Sequence, residues 1–116
     1  MLMTINTIKC INPHSNNASD SVFLLIQADA NRPRRHPLVG SVSMSPGSTM
    51  PLPTNGYQIA FDYGVVVTVW NHDMFQMVNA PDFLFNLAVM NTSASWSGDM
   101  SNYNKAEYYC DYTISP

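Results

Sequence analysis

The chain has 116 residues, of which 46% are hydrophobic and only 11% charged, with a formal net charge of −3. This length fits one domain with its own core, and the apolar content argues against disorder. Five basic residues are too few for a general nucleic-acid binder, and no apolar run reaches the roughly 18 residues of a membrane span. We therefore expect one domain over residues 1–116, with no nucleic-acid partner and no transmembrane segment.

Pro, Gly and Asn residues recur along the whole chain and leave short segments between them, which is typical of strands rather than long helices. In chain order, the segments that are predicted to be strands are 4–11, 22–28, 39–44, 57–61, 64–70, 83–90 and 106–115. Residues 65–70 give the clearest signal, because all six are β-branched or aromatic. Seven or eight strands in this length predict an all-β fold, an antiparallel β-sandwich or jelly roll.

Two of these segments also carry helix signals. Ser19 could cap a helix over residues 22–26, although strand is the preferred interpretation there. Residues 79–82 are typical of a first helical turn, with Pro81 early, and the apolar residues of 83–88 would then share one helical face. The sequence leaves strand and one short helix open for residues 81–90.

The cysteines and the N-terminus bear on the compartment. Cys10 and Cys110 lie in the first and last predicted strands, and a disulfide between them would close a loop of about 100 residues and add roughly 4–5 kcal/mol. The alternative is two buried free thiols in a reducing compartment. No cationic segment followed by a long apolar stretch opens the chain, so we expect no signal peptide and a cytoplasmic or particle-associated location, in a virion or an inclusion.

Arginines are concentrated in one segment. Three of the five basic residues fall within four positions, as Arg32, Arg34 and Arg35, and His36 follows them. The flanking prolines fix φ and stiffen the segment, which lowers the entropy lost on binding. Since arginine presents a planar fork to carboxylate, sulfate or phosphate groups, these four residues are a candidate anion- or partner-binding site. The alternative is a solvated turn.

A second pattern lies in residues 69–84, where a β-branched strand leads into Trp-Asn-His-Asp, a short insertion and Asp-Phe-Leu. This run resembles the third loop of C2 domains, which are β-sandwiches that often bind calcium and phospholipid headgroups. Residues 24–39 are loosely similar to the first calcium loop of that family. The resemblance implies a C2-like sandwich and makes calcium a candidate cofactor.

The calcium ligands that the resemblance implies are Asp29, Asn31, Asn71, Asp73 and Asp82. Calcium takes six to eight oxygens, so these side chains could supply part of a shell only if the loops converge. Asn71 stands where calcium-binding members of the family have an aspartate, and the arginines near Asp29 would repel a cation. The alternative is that short Asn and Asp side chains build turns here.

Two other groups supply candidate contact residues. If exposed, the apolar residues of the same loop would contact a membrane, a partner or a neighbouring subunit, and otherwise they cap the core; they are Met74, Phe75, Met77 and Val78. Aromatic and amide groups further on suit sugar recognition, although turn formation explains them equally; they are Trp96, Asp99, Asn102, Tyr103 and Asn104.

No pattern points to catalysis, because the histidines fall in predicted loops, no metal motif or phosphate loop occurs, and Glu107 is the only glutamate. We expect no enzyme. Eight methionines and the low charge indicate a surface covered by other subunits. We therefore expect a cofactor-free structural or self-assembling protein, a subunit of a capsid, tube, fibre or inclusion, partnered by itself or by other particle subunits. The alternative is a lectin-like or C2-like module that binds glycans or anionic headgroups, with or without calcium.

Overall fold

A computed structural model describes residues 1–14, 19–72, 82–101 and 106–116, and these residues form nine strands in two sheets. The strands are β1 (Leu2–Asn12), β2 (Asp20–Ala28), β3 (Arg34–His36), β4 (Val42–Met44), β5 (Tyr57–Ala60), β6 (Gly64–Asn71), β7 (Asp82–Met90), β8 (Ala94–Ser101) and β9 (Glu107–Ser115). One sheet has the order β5-β1-β9-β8, and the other has the order β3-β2-β6-β7 with β4 also paired to β2. Every pairing between these strands is antiparallel. The predicted all-β fold and antiparallel β-sandwich are confirmed.

Alternation along each strand decides which side chains enter the core between the two sheets. In β6, Val65, Val67 and Val69 are buried, whereas Val66 between them is 42% exposed. This period of two is what a strand with one face on the core requires. Every strand except β3 contributes residues to one buried cluster, for example Ile5 from β1 and Leu24 from β2. β8 contributes Met100.

The helix that the sequence left open does not occur in the described residues. Residues 82–90 form β7, which pairs along its whole length with β6, and residues 22–26 lie within β2. A tertiary contact selects the strand conformation of β7, because its pairing satisfies the backbone groups on the second side of the β-branched strand β6. A register shift between Val69 and Trp70 places both Leu84 and Phe85 in the buried set.

Two strands were not predicted. The first, β3, lies inside the arginine-rich segment. The predicted strand 39–44 does form, but only over Val42–Met44. The second unpredicted strand, β8, covers the segment interpreted as a sugar loop. Its serines, glycine and aspartate are poor strand formers, which is why the sequence does not predict a strand there. Its eight pairs with β9 outweigh that weak local preference.

The connections between strands fall at two opposite ends of the sandwich. Ala28 pairs with Val65 and Gly64 pairs with Met90, so the β2–β3, β5–β6 and β7–β8 connections share one end, called here the lower end. Asn71 pairs with both Val22 and Asp82 at the other, upper end. Six residues of extended strand separate the two ends, which is about 20 Å.

Cys10 and Cys110 are buried free thiols. Their strands are neighbours, but the register pairs Cys110 with Ile8 and Cys10 with Tyr108, so the two cysteines sit diagonally. Burial raises the pKa of both thiols, that of Cys110 to about 12. Both thiols therefore stay protonated and shielded from solvent reagents.

Within the described ranges, no helix has the length and apolar character needed to cross a membrane.

Candidate functional site

The arginine-rich segment forms one edge of the second sheet. β3 contributes three residues, and its register pairs Leu24 with His36, Leu25 with Arg35 and Ile26 with Arg34. Since neighbouring residues of a strand point to opposite faces, Arg35 lies on the outer face of the sheet. Arg34 and His36 turn toward the side of the sandwich where β5 lies. The four residues predicted as one cluster are therefore distributed around one sheet edge.

Arg35 is held on the outer face by two contacts. Its guanidinium carbon lies 4.3 Å from the centre of the Phe23 ring, and its Nη1 donates a hydrogen bond of 2.6 Å to the Pro37 carbonyl. Phe23 in turn stacks on Trp70 with 6.4 Å between ring centres, and Phe83 meets Trp70 edge-on at 5.4 Å. Arg35 thus ends an aromatic row that crosses the outer face, and its orientation is fixed before any ligand arrives.

His36 closes the inner side of the same edge. Its ring packs edge-on against Tyr57 at 5.2 Å between centres, and Nε2 donates to the Pro51 carbonyl at 2.9 Å. These contacts tie β3 to the other sheet. The role of His36 in the structure is therefore to position the edge rather than to present a free ring.

Arg32 and Arg34 are exposed at the lower end of this edge. With Asn31 and Ile59 they line a small cavity of about 30 Å³. Among the residues that the structure describes, no carboxylate lies within ion-pair distance of the three arginines. Within that part of the chain, Arg32 and Arg34 therefore face solvent, and the half-buried Arg35 is bonded to a carbonyl rather than to a carboxylate.

Directly after β3, the chain exposes an apolar pair. Leu38 and Val39 are each 84% exposed, more than any other large hydrophobic residue that the structure describes. Gly40 follows with φ of +73°, a conformation that glycine adopts without a steric penalty. The turn therefore projects two aliphatic side chains into solvent next to Pro37, whose carbonyl is bonded to Arg35. The term basic edge is used below for Arg32, Arg34, Arg35, Leu38 and Val39.

Asp29 has a structural role at the lower end. Its carboxylate accepts hydrogen bonds from the backbone N–H groups of residues 62–64, at 2.9, 2.7 and 3.1 Å. These bonds, led by that from Asp62, hold the pKa of Asp29 below its usual range. The residue adopts φ of +54°, which Asp tolerates better than most residues. Its oxygens fasten the β5–β6 connection.

The structure does not bring the described members of the calcium set implied by the resemblance together. Asp29 and Asn31 lie at the lower end, whereas Asn71 and Asp82 pair with each other at the upper end, so about 20 Å of strand separates the groups. The Asn71 side-chain oxygen also accepts the Ser21 N–H at 2.9 Å. Asp73 lies outside the described residues. Within the described part of the chain, no cluster of three or more His, Cys, Asp or Glu could hold a metal ion.

The sugar set is also divided. Trp96 and Asp99 belong to β8 and stand three positions apart, so an extended backbone turns them to opposite faces. Trp96 packs against Tyr112 with 5.6 Å between ring centres and lies over Gly98, where a Cβ would come within 3.1 Å of the indole. Asn102, Tyr103 and Asn104 lie outside the described residues.

The apolar group Met74, Phe75, Met77 and Val78 likewise lies outside the described residues, and its contact role stays a prediction. The apolar pair Leu38 and Val39 was missed. The sequence predicts Val39 as the first residue of a strand, where its side chain would be buried. The signal that could have found the pair is its position between a proline and a glycine, directly after a run of arginines.

Comparison with known proteins identifies the fold. No family model and no curated protein sequence matches the chain. A solved structure described as a C2 domain aligns over 100% of this chain and 99% of its own, with a TM-score of 0.58 and 10% sequence identity. The chain has a C2-like fold. A C2 domain of plant Extended Synaptotagmin 1 aligns over 99% of this chain and 93% of its own, with a TM-score of 0.55 and 4% identity.

The C2-like sandwich corrects one part of the resemblance drawn from sequence. Residues 69–72 and 82–84, which flank the β6–β7 connection, do lie at the upper end. The turn within residues 24–39, at residues 29–33, lies at the lower end instead, because β2 runs downward and β3 returns from there. The β2–β3 turn and the described ends of β6 and β7 therefore lie at opposite ends of the C2-like sandwich.

Proposed function

We propose that this chain is a C2-like binding module that attaches to anionic phospholipid surfaces through its basic edge, without calcium. The observation that supports this most is the exposed pair Leu38 and Val39, each 84% exposed, which follows closely in the chain on a segment with three arginines. Membrane-surface binding combines two kinds of contact. Apolar side chains enter the boundary of the acyl chains, and neighbouring cations contact the headgroups. Headgroup binding is also what the resemblance to C2 domains implies.

The size of each contribution favours reversible attachment. An arginine near an anionic membrane surface contributes about 1 kcal/mol. Burial of a Leu or Val side chain contributes roughly 1.5–3 kcal/mol. Because neither kind of contact alone overcomes the entropy lost on binding, we expect both parts of the basic edge to be required.

Calcium independence follows from the same residues. The carboxylate of Asp29, nearest to the arginines in sequence, accepts three backbone hydrogen bonds. The positive charge that a bound calcium ion would supply at the membrane is already supplied by the guanidinium groups. Since the net charge of the chain is −3, attraction depends on this local concentration of positive charge and weakens as salt screens it.

Of the two functions predicted from sequence, the C2-like fold favours the binding module. No contact among the described residues argues for a capsid, tube or fibre subunit, and none argues for carbohydrate as the ligand. A soluble phosphate ester offers the same charge as a headgroup but nothing for Leu38 and Val39 to enter. A lipid surface therefore accounts for the whole basic edge.

Co-sedimentation with vesicles tests this function. In a chelator, the full chain is expected to sediment with phosphatidylcholine vesicles that contain phosphatidylserine and to stay in solution with pure phosphatidylcholine. Calcium in place of the chelator is expected to change nothing, inorganic phosphate at vesicle-equivalent concentration to compete poorly, and high salt to release the protein. Dependence on calcium, or equal binding to neutral vesicles, would contradict the proposal.

A further inference from the structure

The outward side of the second sheet is largely apolar. Since neighbouring residues of a strand point to opposite faces, the register of β3, β2, β6 and β7 identifies the side chains that point away from the core. Among those that the structure describes, Arg35 is the one charged residue. Most of the others are hydrophobic, and the term apolar face is used below for Phe23, Leu25, Val66, Trp70, Phe83, Ala88 and Met90.

The strands of this sheet lack the alternation of a solvated face. An antiparallel sheet with one face in water alternates apolar and polar residues, whereas a strand buried on both faces is a nearly continuous apolar run. Residues 22–26 of β2 are Val-Phe-Leu-Leu-Ile, and β6 is hydrophobic from Val65 to Trp70 except at Thr68. Both sides of the sheet therefore have the composition of an interior, although only one side faces the core.

The part of the apolar face on β6 and β7 is open to solvent. Met90 is 71% exposed, Phe83 47% and Val66 42%. Val66 and Met90 line a groove of about 400 Å³ with Tyr63, which is 76% exposed just before β6. The face spans three strand spacings and about 20 Å of strand, which is roughly 300 Å². Exposed apolar patches of this size are often functional.

The apolar face is continuous with the basic edge. Arg35 belongs to the basic edge, and its guanidinium carbon lies 4.3 Å from the centre of the Phe23 ring. The ring contacts of Phe23, Trp70 and Phe83 then run from β2 across β6 to β7. Aromatic rings of this kind are favoured at the level of membrane headgroups. One surface thus begins with a cation and continues as aromatic and aliphatic side chains.

The outward side of the first sheet has the opposite character. Asp99, Glu107 and Asp111 stand at its outward positions, and Lys9 is the cation beside them in the described part of the chain. Three carboxylates against one ammonium group give this side a net negative charge. An anionic membrane repels this side and attracts the side that carries Arg35, so the charges favour one orientation of the sandwich.

We propose that the apolar face lies against the anionic phospholipid surface together with the basic edge, so that the second sheet is parallel to the membrane plane; this inference rests on the proposed function. A lipid surface supplies both chemistries, since phosphate groups meet Arg35 and the acyl boundary takes the apolar side chains. A second copy stacked face to face would bring Arg35 against a surface on which the described side chains include no carboxylate. Attachment through the basic edge alone would leave β7 three strand spacings, about 14 Å, farther from the membrane.

Vesicle titration of serine variants in a chelator tests this orientation on the full chain. Val66→Ser combined with Met90→Ser removes apolar contact from β6 and β7 without a change in charge. It is expected to lower the affinity for phosphatidylserine-containing vesicles about tenfold. Ile11→Ser is the matched control, because Ile11 is 37% exposed on β1 of the first sheet, and it is expected to bind as the wild type does. Circular dichroism checks that both variants keep the fold.

Tryptophan quenching gives a second measurement that leaves the apolar face unchanged. The chain has two tryptophans, so Trp96→Phe on β8 leaves Trp70 as the sole emitter. Lipids that carry a nitroxide on the acyl chain are expected to quench Trp70 when the protein binds their vesicles. Trp70→Phe leaves Trp96 of the first sheet instead, and its emission is expected to be unaffected.

Three results would overturn the orientation. The double serine variant binds vesicles as tightly as the wild type, vesicle-bound Trp70 is not quenched, or light scattering without vesicles shows a wild-type dimer that the double variant abolishes. The last result would assign the apolar face to a second copy. All three leave the proposed function in place as long as the wild type sediments with vesicles. A wild type that fails to sediment would contradict the proposed function, and the orientation with it.

Discussion

Replacement of Arg32, Arg34 and Arg35 together by serine is expected to lower the affinity for phosphatidylserine-containing vesicles about 100-fold, since each cation contributes about 1 kcal/mol near an anionic surface. Arg32 and Arg34 are exposed, and the printed hydrogen bond of Arg35 goes to the half-buried Pro37 carbonyl, so the substitution removes no fully buried hydrogen bond. Titration of the protein with vesicles in a chelator measures the change. Circular dichroism checks that the fold is kept.

Two companion variants separate charge from shape. Lysine at the same three positions keeps the positive charge and is expected to retain most of the affinity, because headgroup attraction is largely Coulombic. Lys9→Ser removes one exposed cation from β1, away from the basic edge, and is expected to leave vesicle binding unchanged. If the triple serine variant bound as tightly as the wild type, the basic edge would not be the membrane site.

Tyr108→Phe is expected to lower the free energy of unfolding by about 2 kcal/mol, the range for hydrogen bonds to charged groups. The Tyr108 hydroxyl, fully buried on β9, donates a 2.6 Å hydrogen bond to Oδ2 of Asp20, which is 1% exposed on β2. The same oxygen accepts the His14 N–H at 2.9 Å. The bond therefore joins the two sheets through the core, and its loss leaves a buried carboxylate with one donor fewer.

Protonation does not complicate this comparison at neutral pH. Burial first, and then the Asp20 carboxylate, raise the pKa of Tyr108 far above its usual value, so the hydroxyl remains a donor throughout the accessible range. Urea unfolding measures the change, with Tyr109→Phe as the matched control. Tyr109 is the neighbouring residue on the opposite, half-exposed face, and its hydroxyl is expected to matter by a few tenths of a kcal/mol. Equal effects at the two positions would show that the buried bond stabilises nothing.

Local sequence was sufficient for the fold class because most strands of the sandwich have strong preferences of their own. β6 is β-branched or aromatic from Val65 to Trp70, and β9 alternates, so both were predicted close to their true bounds. β8 was missed because Ser, Gly and Asp favour turns unless a neighbour pairs with them. Residues 81–90 stayed ambiguous for the same reason, since the partner that selects strand is β6.

The candidate site could be predicted in part. The arginine cluster is visible in the sequence as three cations in four positions. Leu38 and Val39 were missed because hydrophobicity does not reveal whether a side chain is buried. The separation of the calcium candidates was not visible, because the sequence does not tell which end of the sandwich a residue will occupy. Asp29 and Asn71 are both at or next to strand ends, and the register places those ends apart. The separation of Trp96 from Asp99 was hidden in the same way, because an odd spacing puts two residues on opposite faces only once the segment is known to be a strand.

An environment-sensitive dye on the variant Leu38→Cys reports most directly whether the basic edge enters a membrane. Cys10 and Cys110 are fully buried, so the dye attaches at position 38 alone. The matched control carries the dye on Ser97→Cys, on the far edge of the other sheet. With phosphatidylserine-containing vesicles in a chelator, emission from position 38 is expected to shift to shorter wavelength, while emission from position 97 stays unchanged. If the protein sedimented with the vesicles but only position 97 shifted, or neither did, the basic edge would not be the surface that meets the membrane.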